Sequence, residues 1–279
     1  MTQHRAIALG IGFLAVVAGN ACDAPGANPN GPTNIPGVDK FIPAPPPGFV
    51  RRMSVNGYTL FLGPTGGAPK PGLTWANGTG ATPATYAGIL ERVAFYGVQV
   101  VASNSSQTGN GAAVAQGVDV LMGAGLNVTN RFCAAGHSQG GSGAVNATRL
   151  NPNIICTIPV QADTRLTARA NGRDMRGPAL VLCGANDLTA PCGPANSTTN
   201  GSGLYNQAVV PVVQLTVAGS GHIGTGSPTG RGALYAALVT AQTQAVLVGD
   251  PQARAAMLGN NAPILNGASI VQVKRAKNF

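Results

Sequence analysis

Gly136-His137-Ser138-Gln139-Gly140-Gly141 is the stretch that decides how this chain is read. It follows a short apolar run, Arg131-Phe132-Cys133-Ala134-Ala135, and precedes Ser142-Gly143-Ala144-Val145-Asn146-Ala147, which reads as a helix. A strand, a tight turn and a helix in that order are what a G-x-S-x-G nucleophile elbow requires. A turn sharp enough to lift a serine hydroxyl clear of a sheet brings neighbouring backbone close together, leaving little room for Cβ atoms. In a chain with 40 glycines the pattern is only moderately specific, so its surroundings carry weight.

Upstream, residues 57–62 alternate as an edge strand, Leu73-Thr74-Trp75 begins a short buried strand, and Thr82-Pro83 opens a helix. Ile89, Leu90, Val93 and Ala94 recur along that helix at helical spacing, and Gly97 closes it. Residues 98–102 form a β-branched run expected of a strand buried on both faces, and 112–122 read as a helix. Downstream, 154–160, 179–183 and 209–217 are apolar runs with polar, Gly/Asn-rich segments between them. Helices are expected at 233–248 and 251–258, the latter capped by Asp250. Strands alternating with helices imply a single α/β domain whose mostly parallel sheet has helices on both faces.

The domain does not begin at residue 1. Arg5, the apolar residues 6–18 and Gly19-Asn20-Ala21 read as a secretion signal over 1–21, with a lipidated Cys22 as the alternative. Residues 22–50, rich in proline and containing Pro45-Pro46-Pro47, read as an extended tether whose end drapes along the domain at 51–279. Removing the signal leaves 258 residues (279 − 21), enough for one large core. The formal charge of +9 is scattered except at Lys274-Arg275-Ala276-Lys277, and aromatics are only 5%, so a nucleic-acid surface is not expected. A monomeric, cationic exported protein is the expectation. Of Cys133, Cys156, Cys183 and Cys192, the preferred disulfide is Cys183 with Cys192, because one end lies in an adaptable loop. Buried free thiols are expected in the central strands. No spacing suggests a metal.

A nucleophilic serine needs a base, and the chain has three histidines. His4 leaves with the signal, and His137 neighbours Ser138 in the turn, where successive side chains diverge. His222 remains, in Gly219-Ser220-Gly221-His222 directly after the last expected strand. Asp187, in Gly184-Ala185-Asn186-Asp187, follows a strand in the position that faces such a histidine. Asp163 is the fallback acid; its other reading is loop structure or an ion pair with Arg165 or Arg169. The order Ser138, Asp187, His222 is that of α/β-hydrolases. Oxyanion donors are expected from the N–H of Gln139 and from Gly78 or Thr79 in the loop after the Trp75 strand.

With these residues assembled, the chain resembles bacterial secreted cutinase-like polyester hydrolases and lipases of the dienelactone-hydrolase-like branch, which includes poly(ethylene terephthalate) hydrolases. The resemblance covers roughly residues 55–258 and is carried by the Trp75 to Gly97 segment, the Gly136 to Gly141 turn, Asn186-Asp187-Leu188-Thr189-Ala190-Pro191, Gly221-His222 and Val248-Gly249-Asp250. It implies an α/β-hydrolase fold with no large lid and cofactor-free hydrolysis of carboxylic esters, from small molecules to lipid or polyester surfaces. Trp75, His137 and Gln161 are the expected substrate contacts. The chain departs from the plastic-degrading members at Asn77-Gly78-Thr79 and Pro159-Val160-Gln161, where an aromatic residue and a tryptophan are usual. Aliphatic esters are therefore expected over aromatic ones, with Trp75 and Tyr86 as candidate replacements for the missing ring clamp. Two other readings stand beside this one: a polyhydroxyalkanoate depolymerase or feruloyl-type esterase on the same fold, and a non-catalytic exported binding protein.

Overall fold

The computed structural model describes residues 33–64, 66–266 and 271–279; the expected signal, Cys22 and the start of the tether lie outside them. The strands are β1 (Arg51–Val55), β2 (Tyr58–Leu62), β3 (Lys70–Ala76), β4 (Gln99–Ser103), β5 (Val128–His137), β6 (Ile154–Val160), β7 (Ala179–Gly184), β8 (Val212–Val217) and β9 (Val271–Lys277). They form one sheet in the order β1-β2-β4-β3-β5-β6-β7-β8-β9. Pairing is parallel from β4 through β8 and antiparallel at β1–β2, β2–β4 and β8–β9. The helices are α1 (Pro36–Asp39), α2 (Ala87–Phe95), α3 (Ala112–Gly123), α4 (Gln139–Ala147), α5 (Asn200–Gln207), α6 (Gly230–Thr243) and α7 (Pro251–Met257).

Strand alternation distributes the core over both faces. Val100 and Ala102 of β4, Cys133 and Ala135 of β5, Leu180 and Leu182 of β7 join α2, α6 and α7 in one apolar cluster. The residues between them, Val101, Phe132 and Ala134, pack against Val114, Val118 and Leu121 of α3. Val181 meets Leu204 and Tyr205 of α5. Strands so covered must be apolar on both sides, which is why they stand out in the sequence as uninterrupted runs.

Several elements differ from the sequence reading. Residues 58–62 are not at the edge, because β1 pairs outside them through a turn at Asn56-Gly57, both with positive φ (48° and 81°). That Asn-Gly pair is a two-residue hairpin signal the sequence reading passed over. The basic tail is strand β9, and α5 lies in a stretch whose Gly/Asn content reads as loop. The long C-terminal helix starts at Gly230 and ends in a π turn, Gln244–Val248. The segment read as a tether without regular structure contains α1 and buries Ile35, Val38 and Phe41.

Two disulfides are present. Cys183–Cys192 is the expected one, whereas Cys133–Cys156 replaces two expected free thiols. The cause is register: Cys133 and Cys156 are directly paired on the adjacent strands β5 and β6, with Cα atoms 4.5 Å apart, inside the disulfide range. Two bridges fit an oxidising compartment. Among the described residues no single helix is long and apolar enough to cross a bilayer.

Candidate functional site

The β5–α4 junction holds Ser138 at φ 57°, ψ −124°, a conformation costly for a non-glycine residue. Neighbouring backbone holds it there. Ser138 N–H donates to Val160 O (3.0 Å), while its carbonyl accepts from Gly141 N–H (2.9 Å) and Asp163 N–H (3.0 Å). A Cβ on Gly136 would strike the Gly140 carbonyl and approach Ala76 Cβ to 2.6 Å, and one on Gly140 would strike the Ala76 carbonyl. The flanking glycines are thus required by the close passage of β3, the elbow and the first turn of α4.

The structure brings together the three residues chosen by elimination. Ser138 Oγ–H donates to His222 Nε2 (2.9 Å), and His222 Nδ1–H donates to Asp187 Oδ2 (2.8 Å). The proton assignment follows from the partners, since a carboxylate only accepts. Asp187 is fully buried, and its other oxygen accepts the N–H groups of Thr189 (2.9 Å) and Ala190 (2.8 Å). The histidine loop is fixed from several sides. Gln161 Nε2 donates to Gly221 O (2.6 Å), Asn186 N–H to Ser220 O (2.8 Å), and the buried Tyr235 Oη–H lies 3.1 Å from Ser220 Oγ.

His137 and Gln161 are brought to the site but not as freely exposed contacts. Gln161 Oε1 and the His222 carbonyl lie 3.1 Å and 3.0 Å from His137 Nε2, and both are acceptors, so Nε2 carries the proton. His137 Nδ1 therefore accepts from Tyr86 Oη–H (3.0 Å), and Tyr86 Oη in turn accepts the N–H of Gly78 (3.1 Å). Burial, aided by the nearby His222, lowers the His137 pKa to about 4, so the ring stays neutral. Burial also pushes the Tyr86 phenol up to about 12. This relay joins the loop after β3, the elbow and the His222 loop, and only the fold could reveal it.

Three expectations are corrected. Trp75 is 0% exposed, packed inside the sheet against Tyr86 with ring centroids 5.0 Å apart, and cannot touch a substrate. Gln161 is buried, with both ends of its amide engaged, and acts as a brace for the His222 loop. Gly78 N–H donates to Tyr86 Oη, so of the two donors expected on that loop it is already engaged. The backbone N–H groups of Thr79 and Gln139 have no acceptor among the described residues. The Gln139 side chain locks the two together, its Nε2 donating to Thr79 Oγ1 (2.7 Å) while its Oε1 accepts Gly109 N–H (3.0 Å).

Asp163 stands apart from the histidine. Burial raises its carboxyl pKa, but the N–H groups of Leu166, Arg165 and Thr167 and the Thr167 hydroxyl outweigh this and hold it below the usual carboxylate range. It organises the 163–167 loop, the structural role foreseen, and pairs with neither Arg165 nor Arg169. The cleft over Ser138 has a volume of about 610 Å³ and is bordered by Thr79, Tyr86, Leu166, Thr189 and Ile223. Leu166 and Ile223 are 74% and 88% exposed. In comparisons with known proteins, no family model matches the chain and no curated protein is significantly similar to it.

Proposed function

We propose that this protein is a secreted serine hydrolase of carboxylic esters on the α/β-hydrolase fold, akin to the cutinase-like esterases and lipases its motifs resemble. The observation that carries the reading is the continuous chain Ser138 Oγ–His222–Asp187, with both hydrogen bonds under 3 Å, at the floor of an open cleft. Ser138 Oγ attacks the ester carbonyl as its proton passes to His222 Nε2, and Asp187 stabilises the imidazolium through Nδ1–H. The electron pair displaced onto the carbonyl oxygen is met by the N–H groups of Gln139 and Thr79. Collapse expels the alcohol, which takes the proton from Nε2, and water then releases the acid from Ser138 by the same steps. The chemistry needs no cofactor.

Exposed Leu166 and Ile223 on the cleft border favour an apolar acyl chain, the burial of Trp75 removes one candidate aromatic clamp, and Tyr86, though in the cleft wall, is almost wholly buried with its hydroxyl tied to Gly78 and His137, so aliphatic esters are the preferred substrates. A polyhydroxyalkanoate depolymerase or feruloyl-type esterase would share the same machinery. A non-catalytic binding protein would not need the aligned triad. A fluorophosphonate probe is expected to label the wild type but not Ser138→Ala. Turnover of p-nitrophenyl esters should fall by at least about 10³-fold in Ser138→Ala and His222→Ala. An unlabelled wild type, or equal labelling of Ser138→Ala, rules the enzyme out.

A further inference from the structure

A second cavity, of about 470 Å³, opens beside the Ser138 cleft, and Thr167 belongs to the walls of both. Two arginines border it. Arg149 has its nearest carboxylate, on Asp174, 3.8 Å away, and Arg169 has no ion pair among the described residues. Arg165, Arg173 and Arg176 add charge on the same stretch of chain, where Asp163 is already saturated by its own loop. Leu150 and Ala168 add apolar wall. The frame is rigid: Asn146 Nδ2 donates to both Gly109 O and Arg169 O, each at 2.8 Å, and Gly109 N–H is held by the side chain of Gln139. A Cβ on Gly109 would come within 2.6 Å of Ala168 Cβ, so the two sides of the cavity are in close contact at its base.

We infer that this cavity is a carboxylate subsite, and that the favoured substrates are monoesters of aliphatic dicarboxylic acids, with the ester on Ser138 and the free acid between Arg149 and Arg169. The inference rests on the ester-hydrolase reading and adds the substrate's charge to it. Two guanidinium groups in one cavity wall, one of them held only by Asp174 at 3.8 Å and the other in no ion pair among the described residues, suit a carboxylate better than a neutral chain end. Length decides which diacids can reach both cavities, because Thr167 stands in the wall they share. An extended chain advances roughly 1.2 Å per bond, so a four-carbon diacid spans about 4 Å and a ten-carbon one about 11 Å between its carboxyl carbons. Only the longer one passes a residue's width and presents its acid to Arg149 or Arg169.

The test compares p-nitrophenyl monosebacate, its methyl ester and p-nitrophenyl monosuccinate on the wild type, Arg149→Gln, Arg169→Gln and the double variant. The ratio of kcat/KM for monosebacate over its methyl ester should fall about fivefold to tenfold in the double variant at low salt, and less at high salt, while the monosuccinate ratio stays flat. A sebacate ratio unmoved by the substitutions overturns the subsite. Free sebacate should inhibit competitively and less strongly in the same variants; no inhibition, or inhibition unmoved by the substitutions, counts against the subsite. If no ester is turned over and no probe labels Ser138, the enzyme reading falls separately. Calorimetric titration of sebacate into the full chain then decides the pocket alone: binding lost in the double variant keeps it, and no binding, or binding unaffected by the variants, removes it.

Discussion

Ser138, His222 and Asp187 were legible because the chain is poor in alternatives: three histidines and few acids, each judged against a strand end. Tyr86, His137 and Gln161 were not legible in their actual roles, since hydrogen bonds between residues 24 and 51 positions apart leave no periodic trace. Their energetics give two predictions. Tyr86→Phe leaves Gly78 N–H and His137 Nδ1 buried without partners, at a cost of about 1–3 kcal/mol in denaturant-derived stability. An unchanged midpoint would show that this relay carries no weight. His137 is neutral when folded down to about pH 4 but takes a proton near its ordinary 6.5 when unfolded. Between those values the unfolded state binds more protons, so stability is fully present above pH 6.5 and is lost as pH falls toward 4, by about 3 kcal/mol. Urea titrations from pH 4.5 to 7 should show this slope in the wild type and a shallower one in His137→Gln; parallel slopes would contradict it.

At the level of elements, the buried parallel strands and α2, α3 and α7 were readable from apolar runs, caps and helical spacing. What escaped were elements whose reason is tertiary. β9 is basic and polar because its pairing with β8 leaves it at a sheet edge, and α5 is glycine-rich because Gly201 packs against the Cys183–Cys192 bridge, whose sulfurs would meet a Cβ at that position. That bridge brackets the loop carrying Asp187, whereas Cys133–Cys156 ties two strands already paired by the sheet. On chain-entropy grounds the longer loop, 23 residues apart against 9, stabilises more, about 3.4 against about 2.7 kcal/mol. Activity should rank the other way. Cys183→Ala with Cys192→Ala should lower kcat more than Cys133→Ala with Cys156→Ala, at a temperature where circular dichroism shows both folded. Equal kcat losses would mean that the Asp187 loop does not depend on its disulfide.

For the molecule as a whole, the segment before the sheet acts as part of the core, although its prolines read as a tether. Val38 and Phe41 are buried with α6 and α7, and Gly37 lies so close to α7 that a Cβ there would come within 2.6 Å of Ala256 Cβ. Polar contacts lock the segment: Lys40 Nζ pairs with Asp250 at 2.8 Å, Tyr96 Oη–H donates to the Lys40 carbonyl (2.6 Å), and buried Arg92 donates to Pro43 O (3.2 Å) and Ala233 O (3.1 Å). Arg92 is the most dependent of these, because burial disfavours its charge and carbonyls are its hydrogen-bond acceptors. Burying Ile35, Val38 and Phe41 is worth roughly 2 kcal/mol each before the entropy of ordering the segment is subtracted. A chain beginning at residue 51 should therefore be less stable than one beginning at 33 by about 3 kcal/mol, and melt roughly 10 °C lower. Its kcat on a short neutral ester at 20 °C should change little, since no residue of the segment borders the Ser138 cleft. Equal melting temperatures for the two chains would return the segment to a tether, and a loss of kcat without loss of stability would place it in the site.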